Sequence, residues 1–181
     1  MTKRVLVAYA THHGATRGIA ERIATTLTRT GLDASARSVT SAGDLDGYDA
    51  FVVGSAIYAF RWLGEGHNFV NRNRELLGRR PVWLFSSGPL GTATVDEKGQ
   101  DVRQAPREIA SLSDLVRARD HRIFFGAYDP AAKPIGMLER ITRAMPATRD
   151  LLPGGDFRDW DEIDAWATAI ADELTRVPAP V

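Results

Sequence analysis

Apolar positions recur along this chain in two alternating rhythms. Arg4–Ala10 (RVLVAYA) is a short Val-rich run between polar residues, the pattern of a parallel strand buried on both faces. Ala15–Thr30 follows with Ile19, Ile23 and Leu27 at spacings of four. That is an amphipathic helix, and Gly31 is placed to end it. Leu32–Val39 alternates and predicts a second strand, and Tyr48–Gly54 (YDAFVVG) a third. Gly64–Leu77 predicts a helix with Phe69, Val70, Leu76 and Leu77 inward. Pro81–Ser86 (PVWLFS) predicts a fourth strand, with Pro at its permitted first position. Gly88–Arg103 shows no period, and so long an irregular stretch in a compact domain is usually functional or mobile. Beyond it come a helical pattern over Pro106–Ala118, a fifth strand over Arg122–Tyr128 (RIFFGAY) and a helix over Ile135–Met145, with Leu138, Ile141 and Met145 on one side. Leu151–Phe157 predicts a loop. Asp159 precedes Glu162 by three, the capping-box spacing, at the head of a last helix that runs to about Thr175 and buries Ile163, Trp166, Ile170 and Leu174.

Strand–helix alternation through five strands predicts an α/β fold. It is a three-layer sandwich, a parallel sheet with helices on both faces, in one domain over residues 1–181. With right-handed crossovers, five strands suit the order 2-1-3-4-5. That order opens a crevice at the carboxyl ends of the first and third strands.

The chain has 181 residues, of which 44% are apolar, enough to bury a core without staples. Lys and Arg total 23 and so do Asp and Glu. Zero net charge argues against a nucleic-acid binder and against an acidic carrier that docks by charge. No cysteine is present, which excludes disulfides, iron–sulfur clusters and thiol chemistry, and four scattered histidines argue against a metal site. Met1–Arg4 leads straight into the first strand with no cleavage-type pattern, and no apolar run reaches membrane-spanning length. The expectation is a cytoplasmic protein, with peripheral contact at the inner face of the cell membrane left open.

Candidate chemistry sits in three loops. Thr11-His12-His13-Gly14-Ala15-Thr16 joins the first strand to its helix. Free N–H groups and the helix dipole at such a junction bind anions, and Gly14 permits close approach. The two threonines add hydroxyls, and an imidazole can donate one more bond. The loop lacks the lysine of a P-loop and has no G-x-G-x-x-G, so it suits one terminal phosphate; the alternative is an ordinary capped helix start. Gly54-Ser55-Ala56-Ile57-Tyr58-Ala59-Phe60-Arg61-Trp62 brings three aromatics to the end of the third strand. They can stack on a planar ligand, or Phe60 and Trp62 can simply cover the core. Ser86-Ser87-Gly88-Pro89-Leu90-Gly91 follows the fourth strand and can reach the polar edge of a ring, or form a plain turn. The predicted topology brings all three to one crevice.

The T-x-x-G-x-T loop resembles the phosphate loop of flavodoxins, and the second and third loops resemble the pair that encloses the flavin ring. The resemblance runs from Arg4 to the last helix. Within that superfamily the chain is most similar to the menaquinone-dependent protoporphyrinogen IX dehydrogenase group. Val53–Tyr58, Gly126-Ala127-Tyr128 and Asp159-Trp160 carry that likeness. The resemblance implies a flavodoxin-like fold and FMN as cofactor. Thr11, His12, His13, Gly14, Ala15 and Thr16 would hold its phosphate; histidines stand here where small hydroxyl residues are usual. Ser55, Ala56, Ile57 and Tyr58 would line one side of the isoalloxazine, and Ser86, Ser87, Gly88, Pro89, Leu90 and Gly91 its pyrimidine edge. The implied substrates are small molecules, a porphyrinogen donor and a quinone acceptor, and a homodimer is compatible with the group. No side chain is singled out as an acid–base catalyst.

Electron-carrying flavodoxins often place glycine after the ring-side aromatic, where its peptide turns toward N5 of the one-electron-reduced flavin. Ala59 stands there, and Ala pays a steric cost at positive φ that Gly does not. Phe60 and Arg61 follow where carriers tend to be acidic, and a cation favours an anionic reduced flavin. The expectation is two-electron chemistry. Arg61 and Arg103 can pair with propionates, against the alternative of solvated surface. The Ile135–Met145 helix, with Arg140, Arg143 and Arg149, can rest on a membrane or pack as an ordinary core helix. A phospho-receiver needs acidic residues where Ala10-Thr11-His12 stand, and an α/β hydrolase needs G-x-S-x-G around Ser55. The surviving alternatives are an electron-transfer flavodoxin, an NAD(P)H:quinone reductase and, given the histidines of the first loop, a fold that binds no flavin.

Overall fold

The computed structural model describes residues 2–91, 93, 95, 99, 101–133, 135 and 154–176. The first strand and helix fall where the periodicity puts them, β1 at Arg4–Ala10 and α1 at Ala15–Arg29. β2 (Asp33–Ser38) and β3 (Ala50–Tyr58) follow, and β3 runs four residues past its predicted end. It then folds back as β4 (Arg61–Trp62), an antiparallel partner pairing Ile57 with Trp62 and Tyr58 with Arg61. The segment expected as a loop after the third strand is therefore a β-hairpin. The single helix expected over Gly64–Leu77 is divided into α2 (Gly64–Arg72) and α3 (Arg74–Leu77). Asn73 between them bonds its side-chain amide to the Phe69 carbonyl, the local competition that interrupts helices at Asn.

β5 (Val82–Ser87), α4 (Ile109–Val116) and β6 (His121–Phe124) complete the sheet. The fifth strand is shorter than predicted. The chain leaves the sheet at Phe125-Gly126 and forms β7 (Ala127–Tyr128), which pairs antiparallel with β8 (Gly155–Asp156) in a separate ribbon. The last helix, α5 (Trp160–Thr175), is capped as its spacing predicts: Asp159 Oδ1 accepts from the N–H groups of Asp161 and Glu162, both at 3.0 Å. The helix expected over Ile135–Met145 lies outside the described residues beyond Ile135, as do Arg140, Arg143, Arg149 and Leu151–Pro153.

The main sheet runs β2-β1-β3-β5-β6, all parallel, with β4 hung on β3. This is the order 2-1-3-4-5 counted over the five parallel strands. Alternate residues of each strand feed opposite layers. Val5, Val7, Trp83 and Phe85 pack under α1 and α5, against Ile19, Ile23, Leu27, Ile163, Trp166, Ile170 and Leu174. Leu6, Phe51, Val53 and Leu84 pack under α2–α4, against Phe69, Val70, Leu77, Leu112 and Val116. Each such side chain contributes about 1.5–3 kcal/mol by leaving water. At the middle of the sheet a Cβ built on Gly54 would lie 2.0 Å from the Phe85 ring, so glycine leaves the space that the end of that ring fills.

Candidate functional site

The register of the sheet brings the three loops together. Ala10 pairs with Ser55, and Ala56 with Ser87, so the ends of β1, β3 and β5 stand side by side. Ile57 packs so closely on Gly88 that a Cβ there would meet it at 2.9 Å. The His12 ring lies 5.1 Å from the Tyr58 ring, tilted at 49°, which joins the first loop to the hairpin.

In the first loop Thr11 Oγ1 accepts the Gly14 N–H at 3.0 Å and folds the chain into a tight turn. Gly14 has φ of 86°, a conformation that favours glycine, and opens α1 with no side chain capping it. Thr16 is fully buried in the first turn, and its Oγ1 has no hydrogen-bond partner among the described residues. A buried orphan hydroxyl costs about 1–3 kcal/mol. An uncapped helix start beside such a hydroxyl fits a phosphate monoester, which would supply acceptor oxygens to both. The ordinary capped start is not what this chain builds. His12, His13 and Ala15 are half-buried around the turn. His13, Gly14 and Ala15 also line one wall of a cleft of about 480 Å³.

The hairpin turn is Ala59-Phe60, with φ of 48° and 61°. Two positive φ values between paired strand residues make a type I′ turn, normally filled by Asn-Gly or Gly-Gly. The steric cost expected of Ala59 is thus incurred in the turn as it stands, about 1–2 kcal/mol for each residue. The surroundings hold it. The Arg107 N–H donates to the Phe60 carbonyl at 3.1 Å. The Trp62 N–H donates to Glu108 Oε1 at 2.7 Å, and Arg61 Nε lies 3.8 Å from Glu108 Oε2. Of the three aromatics, Trp62 is core, whereas Tyr58 and Phe60 are 40% and 55% exposed at the rim of the crevice.

Two predicted ligands are turned inward. Ser55 Oγ accepts the Leu63 N–H at 3.0 Å and lies under α2. Ser86 Oγ accepts the Trp62 indole N–H at 2.7 Å and meets His121 Nε2 at 2.8 Å. The indole can only donate, so Ser86 Oγ is its acceptor, and the imidazole tautomer sets which way the bond to His121 runs. Burial pushes the His121 imidazole down to about 4, with Asp120 opposing the shift. The Ser86 hydroxyl, expected at the ring edge, is therefore committed to the interior; its backbone, with Ser87, Gly88, Pro89, Leu90 and Gly91, still ends at the crevice. Pro89 is braced there by the Gly126 N–H on its carbonyl at 2.8 Å.

Arg107, Glu108, His121 and Arg158 shape this region without having stood out in the sequence. Arg158 lies across the first turn of α1 and lines the same cleft as His13. Arg103, expected at the crevice, pairs with Asp101 and lies 3.5 Å from Glu162, so its charge is already matched. Among the described residues no cluster of His, Asp and Glu could hold a metal, and no helix is long and apolar enough to cross a membrane.

Comparison with known proteins places this geometry. The flavodoxin domain family matches residues 6–142. No curated protein sequence matches the chain. A flavodoxin from the domain Archaea shares the fold with a TM-score of 0.60 at 17% identity, covering 96% of this chain and 99% of that one. Oxidised flavodoxin 2 from Bacillus cereus gives 0.58 at 18% identity, with 94% and 99% covered. Rubredoxin oxygen:oxidoreductase from the anaerobe Desulfovibrio gigas gives 0.58 at 14% identity, with 96% of this chain and 36% of that one covered. Identities this low establish the fold alone.

Proposed function

The chain belongs to the flavodoxin domain family, and on that premise we propose that it is an FMN-dependent oxidoreductase working in two-electron steps, with protoporphyrinogen IX as donor and a quinone as acceptor. FMN supplies the redox chemistry when bound; the protein positions it and its partners. In this reading the uncapped start of α1, the Thr11–Gly14 turn and the buried Thr16 hydroxyl bind the phosphate. Ile57 and Tyr58 flank the ring on one side, and the backbone of Ser87–Gly91 takes its polar edge.

The observation that carries the two-electron reading is the Ala59-Phe60 turn. Arg107 anchors the Phe60 carbonyl, which leaves the peptide between Ala59 and Phe60 as the one that can rotate. Rotation converts type I′ to type II′, whose first central position is kept for glycine. The Ala59 Cβ therefore resists the reorientation that stabilises a one-electron state. Arg61 is 64% exposed and only loosely paired, its Nε 3.8 Å from Glu108 Oε2, so its outer N–H groups can meet the donor's carboxylates. Donor oxidation removes two electrons and two protons per step. The quinone accepts both electrons and takes up two protons to become a quinol.

The test is an anaerobic assay of FMN-loaded protein with protoporphyrinogen IX and menadione. Porphyrin fluorescence rising well above autoxidation supports the substrate. No rise, together with fast electron transfer to a protein acceptor, establishes the carrier alternative instead. Bleaching of the flavin by NADPH alone would favour a quinone reductase.

A further inference from the structure

The cleft beside the phosphate loop has a second wall. His13, Gly14 and Ala15 face Ala127–Pro130, Gly155, Asp156 and Arg158 across it. Arg158 is the cation there, and it is fixed on every side. Its Nε and Nη2 form a fork with Asp156 at 2.7 and 2.6 Å. Nη1 donates to the Ala15 carbonyl at 3.3 Å. The guanidinium stacks on Trp160, 4.5 Å from the ring centre, and only 16% of the side chain is exposed. Gly18 makes the space: a Cβ on it would lie 2.4 Å from Nη1.

Five N–H bonds leave a guanidinium, and the bonds named here use three of them. The remaining donors belong to a group that lines the same cleft as His13, Gly14 and Ala15, at the uncapped start of α1. Holding the fork rigid removes most of the entropy cost that a free arginine pays when it meets an anion. Asp156 does the holding, and its charge also subtracts from that of Arg158. The pair is a cation set at reduced strength.

We propose that Arg158 is a specificity-determining residue for the phosphate end of the ligand, selecting a phosphate monoester over the same flavin without phosphate, and that Asp156 attenuates it. This rests on the FMN reading above. It assigns a role to the β8–α5 connection, which none of the three strand-end loops contains.

The experiment measures the dissociation constants of FMN and of riboflavin, by quenching of flavin fluorescence, for the wild-type protein and for Arg158→Gln, Arg158→Lys and Asp156→Asn. Thermal melts of the apo forms report folding. Arg158→Gln should weaken FMN about tenfold and leave riboflavin within about twofold. Arg158→Lys should recover part of the preference. Asp156→Asn should move the other way, tightening FMN about threefold with riboflavin unchanged. An unchanged FMN-to-riboflavin ratio in folded Arg158→Gln overturns the proposal. So does a shift of that ratio in the same direction in both the glutamine and the asparagine variants, since a pair acting only as a brace between α1 and α5 would lose on either side. Should Arg158→Gln fail to fold, the opposite signs expected of the lysine and asparagine variants decide. Wild-type protein that binds neither flavin refutes the FMN reading itself, a different result from a wild type that binds FMN through other residues.

Discussion

Replacing Ala59 by Gly changes one methyl group and tests the redox reading directly. Ala59 sits at φ 48° beside Phe60 at 61°. Left-handed backbone costs a side-chain-bearing residue about 1–2 kcal/mol, and glycine removes that at position 59. Glycine also frees the unfolded chain, which takes back about 0.4–1 kcal/mol. The net is a stabilisation of about 0.5–1 kcal/mol, or roughly 1–4 °C in Tm for a chain of this length. The functional effect is larger. In the type II′ alternative Ala59 would enter a region essentially reserved for glycine, at about 1–3 kcal/mol, while Phe60 would be relieved. Glycine removes the cost in both turns, so only the difference counts, and at up to about 2 kcal/mol Ala59→Gly raises the population of the rotated turn by up to roughly 30-fold. The assay is stepwise anaerobic photoreduction of FMN-loaded protein, followed through the long-wavelength band of the neutral flavin radical. Wild type should pass from oxidised to fully reduced flavin with little of that band, and Ala59→Gly should accumulate at least threefold more. Abundant radical in wild type, or an unchanged yield in the glycine variant at normal FMN occupancy, refutes the reasoning.

Thr16→Val keeps the volume and removes the orphan hydroxyl, so the apo protein should melt higher while FMN binds about tenfold more weakly by titration. Gly54→Ala forces a Cβ to within 2.0 Å of the Phe85 ring at the centre of the sheet. It should cost at least about 1–3 kcal/mol, read as a Tm loss of several degrees with FMN stoichiometry retained. The His121 imidazole, at about 4 in the fold against 6.5 free, gives a pH dependence of definite sign. The unfolded chain takes up the proton first as pH falls. Stability is thus full above about pH 6.5 and declines by up to about 3 kcal/mol toward pH 4. His121→Gln should flatten that window in urea titrations, and the Asp164 carboxylate, held at about 2 by Arg22, acts only below it.

What the sequence reveals and what it conceals follow from where each conformation is determined. β1, α1 and α5 are written in local periodicity, because Ile19, Ile23 and Leu27, or Ile163, Trp166 and Ile170, meet the sheet through spacings set by their own helix. The Thr11–Thr16 loop is visible for the same reason: its chemistry is contiguous. The hairpin is not, because Ala59-Phe60 carries none of the Asn or Gly that marks a type I′ turn. Its conformation is imposed from elsewhere, by Arg107 and Glu108 nearly fifty residues on. For Ser86 local sequence leaves the direction of one side chain open. Strand alternation turns its hydroxyl toward Trp62 and His121, and it takes both the β3–β4 hairpin and the register of β5 with β6 to bring those three together. Arg158 was hidden most deeply. Nothing near it in the chain suggests a ligand, and its place over α1 depends on a glycine 140 residues earlier. The parts of this site set by local sequence are those that any phosphate-binding strand–helix junction needs. The parts set by tertiary contact, a strained turn with no glycine and an arginine restrained by its own carboxylate, are the parts that local sequence conceals, and the Ala59 and Arg158 variants act there.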